Sequence, residues 1–229
     1  MYNIWPLDTL PSELQRPELR MLQDKGYSFD DPREVVEIFE NKVAEFAGAP
    51  YAVAVDCCSH GLFLSLKYLN AQGTITIPSH TYASVPMYIQ HAGCQVEFTD
   101  QDWIGCYQLK PYPLWDAAIQ WHRGMYSGGL RVVSFQIKKA IPIGRGGIIL
   151  TDNAECAKWL KLARYDGRNS HTAYVNDNIQ TMGWHMYMTP EDAARGILLM
   201  DARPQDWPER NGKDCYVDLK QKAVFSHGN

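Results

Sequence analysis

The sequence predicts an α/β protein in which a mainly parallel sheet is flanked by helices, and two observations predict it. From residue 32 to about residue 98, segments with helical apolar periodicity alternate with short strand-like runs, in a βαβαβ order. The run 51–55, Tyr-Ala-Val-Ala-Val, is nearly all apolar, as a strand buried on both faces must be.

The elements follow in order. Asp30-Asp31-Pro32 opens a helix with capping residues and a proline in its first turn, and Val35, Val36, Phe39, Val43 and Phe46 give that helix one apolar stripe. Gly48 ends it. After strand 51–55, Asp56-Cys57-Cys58-Ser59-His60-Gly61 leads into a second helix that runs to about Leu69. Strand 74–77, helix 82–91 and strand 94–98 come next. Segments 104–109 and 112–115 both read as strands, and the gap between them is too short for a crossover helix. Strands 130–135 and 146–150 read as an antiparallel pair or as neighbours in one sheet. Residues 153–165 and 190–200 are helical, the second started by Thr189-Pro190-Glu191. Beyond Arg203 the composition turns polar. We expect one large domain over 1–203, with an N-terminal arm over 1–31, and a short tail over 204–229.

Composition narrows the function. A chain of 229 residues with 45% hydrophobic content buries one substantial core. A net charge of -4 with both signs interspersed offers no broad cationic face, so nucleic acid is not favoured as a partner. The six cysteines form no CxxC pair and no zinc-like Cys/His spacing, so no metal site is expected and free thiols in a reducing cytoplasm are. The first residues lack a basic region followed by an apolar run, and no apolar stretch reaches membrane-spanning length. The expectation is a cytoplasmic protein without an anchor.

The stretch richest in chemistry is Ser134-Phe135-Gln136-Ile137-Lys138-Lys139, closed by Gly144-Arg145-Gly146-Gly147. Two adjacent lysines between a β-rich segment and a glycine turn suit a plain core poorly, and one of them can hold an aldehyde cofactor as a Schiff base. An exposed lysine is free amine in only about one molecule in 2,500 at neutral pH, so a useful nucleophile needs burial or a nearby positive group. Asp116 ends an apolar strand, where a carboxylate is costly without a partner; a helix cap is the plainer role for it. Ser59 begins a helix after a strand, so its hydroxyl and the N–H groups of Cys58, Ser59 and His60 can hold a phosphate.

These segments, taken in order, resemble the DegT/DnrJ/EryC1/StrS family of pyridoxal 5'-phosphate (PLP)-dependent sugar aminotransferases. The likeness is carried by Phe39-Glu40 and Phe46-Ala47; Ala52 to Val55 leading to Ser59; Ile77-Pro78-Ser79-His80-Thr81-Tyr82; 93–100; Asp116-Ala117-Ala118; Ser134-Phe135 to Lys139; Gly146-Gly147; and 183–201. It implies the aspartate aminotransferase-like fold (fold type I), here minimised and lacking most of the C-terminal small domain. The family lysine lies five residues after the Ser and the paired glycines twelve and thirteen after it, which selects Lys139 over Lys138. Asp116 then meets the pyridinium nitrogen, Tyr82 stacks on the ring, Ser134 contacts the phosphate, and His185, standing where the family commonly has Asn, reaches the phosphate of the other subunit. The resemblance thus implies PLP, an amino-acid donor, a keto-sugar acceptor and a homodimer with its site at the interface. Departures are Cys58-Ser59 for the usual Gly-Thr, Ile119 for a Gln or His, and Tyr187 for an Arg. Two rivals stand beside transamination. One is another PLP reaction, a decarboxylation or dehydration, even on a modified nucleotide; the other is a PLP-fold subunit that only binds or assembles.

Overall fold

Apolar residues alternate along three strands, over 51–55, 130–134 and 147–151, so that each of them feeds two cores, one on either face of the sheet. Ala52 and Ala54 of strand β1 (Tyr51–Val55) join the core that holds Val35, Phe39 and Val43, whereas Val53 and Val55 join the core that holds Leu62, Leu64 and Ile89. The same alternation recurs at Val132 against Val133 and at Ile149 against Ile148 and Leu150. The computed structural model from which these positions come describes residues 11, 14, 16–202 and 206–226. Of the expected arm over 1–31, most of residues 1–15, among them the first residues read for a leader, lie outside the described residues, as does the boundary expected at 203/204.

After β1 come β2 (Thr74–Pro78), β3 (Gln95–Thr99), β4 (Tyr107–Gln108), β5 (Leu114–Asp116), β6 (Leu130–Ser134) and β7 (Gly147–Thr151). One sheet runs β1-β7-β6-β5-β4, and β2-β3 form a parallel pair. Reciprocal backbone hydrogen bonds between Thr76 and Lys110, 2.9 and 3.2 Å, tie the pair to the end of β4 in antiparallel sense. Strands β1, β2, β3, β5 and β6 therefore share one direction, while β4 and β7 oppose it. The expected parallel sheet is present in strand direction, but its pairing is mixed. Connection length explains the two reversals: β4 and β5 are separated by residues 109–113, which turn at a cis Lys110-Pro111 bond, and β6 and β7 by 135–146, neither of which holds a crossover helix.

Helices α1 (Glu18–Asp24), α2 (Glu34–Ala47) and α6 (Pro190–Ala202) pack on one face. Helices α3 (Cys58–Tyr68), α4 (Ser84–His91) and α5 (Ala154–Ala163) pack on the other. Helix α2 buries the whole predicted stripe and ends at Gly48 with φ 74°, the left-handed cap that glycine adopts without steric cost. Asp31 stands just ahead of it: its Oδ1 accepts from Arg33 N at 2.9 Å, and its own N–H donates to Glu34 Oε1 at 3.1 Å. Among the described residues no helix is long and apolar enough to cross a membrane.

The C-terminal segment, polar in sequence, crosses the edge of the sheet. Arg210 O accepts from Gly105 N at 3.1 Å, and Gly212 N donates to Trp103 O at 3.0 Å. Short helix α7 (Gly212–Cys215) follows, and Leu219, fully buried, donates its N–H to Ser79 O at 3.0 Å. A Cβ at Gly212 would meet the Trp103 indole at 2.1 Å, so only glycine lets this strap lie flat on the ring. Helix α8 (Ala223–Ser226) lies beyond it.

Candidate active site

A cavity of about 590 Å³ opens where β1, β5 and β6 end, the edge at which parallel α/β sheets place their ligands. Each wall comes from a different element. Helix α3 contributes Cys57, Cys58 and Ser59, the end of β5 Asp116, the end of β6 Ser134, the following turn Lys139, and the C-terminal strap Arg210, Cys215 and Tyr216.

The lysine turn separates its two amines. Lys138 N donates to Gln136 Oε1 and Lys139 N to Gln136 O, both at 2.8 Å, and this tight fold leaves Lys138 exposed while Lys139 is half-buried in the cavity wall. Burial pushes the Lys139 amine below its ordinary value, and the negative charge of Asp116 opposes that fall. Lys139 Nζ lies 3.0 Å from the Tyr216 hydroxyl.

Asp116 is 3% exposed. Its Oδ1 accepts from Ala118 N at 2.9 Å and its Oδ2 from the Tyr107 hydroxyl at 2.8 Å. Burial raises this carboxyl above its ordinary value; the Ala118 N–H, Tyr107 and Lys139 pull it back. No helix directly follows Asp116, so the helix-cap reading does not hold; residues 117–120 form a turn whose Ala118 N–H this carboxylate binds while it lines the cavity.

Helix α3 points its N-terminus at this space. Cys57 is its N-cap and supplies no side-chain cap, so the first-turn N–H groups of Cys58, Ser59 and His60 have no side chain closing over them. Close approach makes that possible: a Cβ at Gly147 would meet Cys58 N at 2.5 Å, and one at Gly61 would meet Val132 Cγ1 at 2.6 Å, so these two glycines let α3 sit hard against β6 and β7. Ser59 Oγ is 2.5 Å from Ser84 Oγ, and the Cys58 thiol, pushed up by burial, donates to Val132 O at 3.8 Å.

Cys58, Ser59, Tyr82, Asp116, Ser134 and Lys139 therefore line one cavity. Tyr82 is its rim, 60% exposed and edge-on to Tyr216 at 6.3 Å. Buried Ser134 Oγ accepts from Gln136 N at 3.4 Å. The side chains of His60 and His185 are not among the lining groups. His60 turns back to Asp56 Oδ1 at 2.5 Å and to the Tyr88 hydroxyl at 2.8 Å, leaving only its backbone at the helix end. His185 is exposed and donates to Asp166 Oδ2 at 2.8 Å. Of the departures, Ile119 is a buried apolar part of the cavity wall, and Tyr187 packs edge-on against Tyr165 at 5.0 Å.

Tyr107, Arg210, Cys215 and Tyr216 belong to the site or its support and carry no mark in the sequence. Tyr107 reads as an ordinary strand aromatic, and the other three lie in a polar tail.

His60 has a consequence for stability. Its hydrogen bond to Asp56, reinforced by Cys57 and opposed by burial, raises its pKa to about 9. A histidine whose folded value lies above its unfolded one stabilises fully below about pH 6.5 and loses that contribution as pH rises through about 9. Urea unfolding at about pH 6 and about pH 9.5 should differ by on the order of 2 kcal/mol after allowing for solvent screening, and His60→Gln should flatten the difference. An equal pH dependence in the variant would exclude this origin.

A second cavity of about 410 Å³ lies beside α5, among Arg33, Lys161, Arg164 and Arg168. These cations already pair with Asp31, Glu37, Glu40 and Asp177.

The sequence pattern of the DegT/DnrJ/EryC1/StrS aminotransferase family matches residues 18–112 and 121–211. The gap between the two segments contains Asp116 and Ile119, and the match ends before Tyr216. No curated protein matches the chain in sequence. Among solved structures, the chain is similar to AtS13 from Actinomadura melliaura, with a TM-score of 0.66 and 19% identity over 80% of this chain and 63% of that one. It is also similar to the sugar aminotransferase CalS13 from Micromonospora echinospora, at 0.64 and 16% over 80% and 64%. S. venezuelae DesV, solved with a ketimine intermediate, gives 0.63 and 18% over 80% and 60%. The chain thus spans less than two thirds of the length of these proteins, and at such identities the likeness establishes the fold. With its sequence pattern matched over most of its length, the chain belongs to the DegT/DnrJ/EryC1/StrS aminotransferase family.

Proposed function

We propose that the chain is a PLP-dependent enzyme that passes an amino group from an amino acid to a keto-sugar or related keto substrate, with Lys139 as the residue that carries the cofactor as a Schiff base. The observation that carries this reading is the pairing, in one cavity, of an amine weakened by burial with a buried carboxylate.

The residues fit the cofactor at three points. Lys139 Nζ is the amine for its aldehyde. Asp116 keeps lone pairs beyond its two hydrogen bonds and is a counter-charge for a protonated ring nitrogen. The first turn of α3, with the Ser59 and Ser134 hydroxyls, supplies donors for a phosphate. PLP, when bound, supplies the aldehyde and an electron-accepting ring.

The chain's own groups do the rest. Burial lowers the cost of having Lys139 as free amine, so its Nζ would be the group that holds the cofactor's aldehyde and could carry the proton of the donor's α-carbon. Asp116 orients the ring nitrogen. Tyr82, on the cavity lining, would stack on the ring.

The acceptor class is supported by the neighbours: CalS13 is a sugar aminotransferase, and DesI was solved in the presence of its TDP-sugar product. We further propose a homodimer in which His185, exposed and away from its own cavity, serves the second copy's phosphate. All six cysteines are free, which suits work in the reducing cytoplasm.

The test is optical. Purified protein mixed with PLP should gain a visible absorbance band that borohydride bleaches, and glutamate or another amino acid should convert it to the pyridoxamine form with release of a keto acid. Release of carbon dioxide instead would identify a decarboxylase. Absence of any band would leave a subunit that only binds or assembles and would overturn the proposal.

A further inference from the structure

Past residue 211, where the family match ends, the cavity wall is continued by Asp214, Cys215 and Tyr216, on a strap that runs on to Leu219. Its centre is Tyr216. The ring lies nearly parallel to the Trp103 indole, at 5.9 Å and 19°, and meets Tyr82 edge-on. The backbone is held on both sides: Tyr216 N donates to Gly212 O at 2.9 Å, Tyr216 O accepts from His80 Nδ1 at 2.9 Å, and Leu219 N donates to Ser79 O. Lys213 and Lys220 pin the outer edge to Asp102 and Asp100. This anchoring leaves the phenol one place to go, and there its oxygen meets Lys139 Nζ at 3.0 Å. Burial keeps the phenol protonated by pushing its pKa far up.

A lysine amine sits on a flexible four-carbon stem, and a single well-placed partner removes much of its freedom. We propose that Tyr216 is a positioning residue: its hydroxyl, delivered by the strap, fixes the Lys139 amine in the cavity wall. The inference rests on the assignment of Lys139 as the cofactor-bearing residue.

Tyr216→Phe keeps the ring on Trp103 and removes only the hydroxyl. In protein prepared without PLP, brief acetylation with acetic anhydride followed by peptide mass spectrometry reads Lys139 against its exposed neighbour Lys138. The Lys139 to Lys138 ratio should rise about fivefold in the variant, the size expected for loss of one net hydrogen bond on the amine. The rate of PLP capture, which needs an oriented amine, should fall about tenfold. Trp103→Phe loosens the seat of the ring but keeps the hydroxyl and should raise the ratio by clearly less than Tyr216→Phe does. An unchanged ratio in Tyr216→Phe, or an equal change in Trp103→Phe, would overturn the positioning role. The labelling needs no cofactor, so a parent protein without a visible band but with a shifted ratio in Tyr216→Phe would sink the proposed function and leave only the hold of Tyr216 on the Lys139 amine standing. A band together with a fixed ratio would do the reverse.

Discussion

Lys139→Ala should yield a folded protein that forms no borohydride-sensitive band with PLP and has lost about a thousandfold or more in amino-transfer turnover. Under the proposed function the loss is large because one nitrogen would have two tasks, bonding the aldehyde and holding the donor's proton, and the other amine on the cavity lining, Lys138, is exposed. Folding should survive. Burial lowers the pKa of this amine, so at neutral pH the unfolded chain binds the proton more tightly than the native one and the lysine costs stability; its removal should not lower the melting temperature. Lys138→Ala is the control, since that side chain is exposed. Absorbance titration with PLP, alongside product analysis, checks both variants. A band that persists without Lys139 and vanishes without Lys138 would reverse the assignment of the two lysines.

The largest effect on stability is expected from Glu40→Ala. Glu40 is 2% exposed in α2, and its carboxylate accepts from Ala54 N at 2.8 Å, from Arg164 Nη1, and pairs with Lys161 at 3.2 Å. Arg164 in turn donates to Ala54 O, so one carboxylate ties α2, β1 and the end of α5 together. Removing it leaves a buried guanidinium and a buried N–H without their acceptor, a loss of roughly 3–5 kcal/mol. For a domain of this size that is a fall of about 10 °C in melting temperature. A paired change to apolar residues, Glu40→Leu with Arg164→Met, should recover most of it, because the cost lies in stranding one charge. Calorimetry that finds Glu40→Ala within about 1 kcal/mol of the parent would remove this ion pair from the account of the fold.

The local elements were readable because their signals are local. The stripe of α2, the Gly48 cap and the near-continuous apolar run of β1 each lie within a window of a few residues, and physical periodicity decides them. The gap between the expected strands 104–109 and 112–115 is too short for a crossover helix on length alone. Lys139 and Asp116 were selected from spacing and family likeness, and they lie on one cavity.

What sequence reading could not supply concerns contacts between distant segments. The partners of His60 are Asp56, four residues before it, and Tyr88, from another helix, so its side chain turns away from the site that its backbone serves. His185 likewise finds Asp166 and leaves its own cavity unlined. Tyr107 carries no sign that its hydroxyl holds Asp116. Residues 206–222 are polar in composition and read as a tail, yet a handful of anchors, Gly212 on Trp103 and Leu219 on Ser79 among them, bring Tyr216 to the lysine. The sequence by itself determined the alternation of elements, the helix ends and the chemistry available at Lys139 and Asp116. Tertiary structure alone decided which lysine is buried, which histidines are turned aside and what closes the cavity, because desolvation and hydrogen bonding depend on neighbours that the order of residues does not bring together.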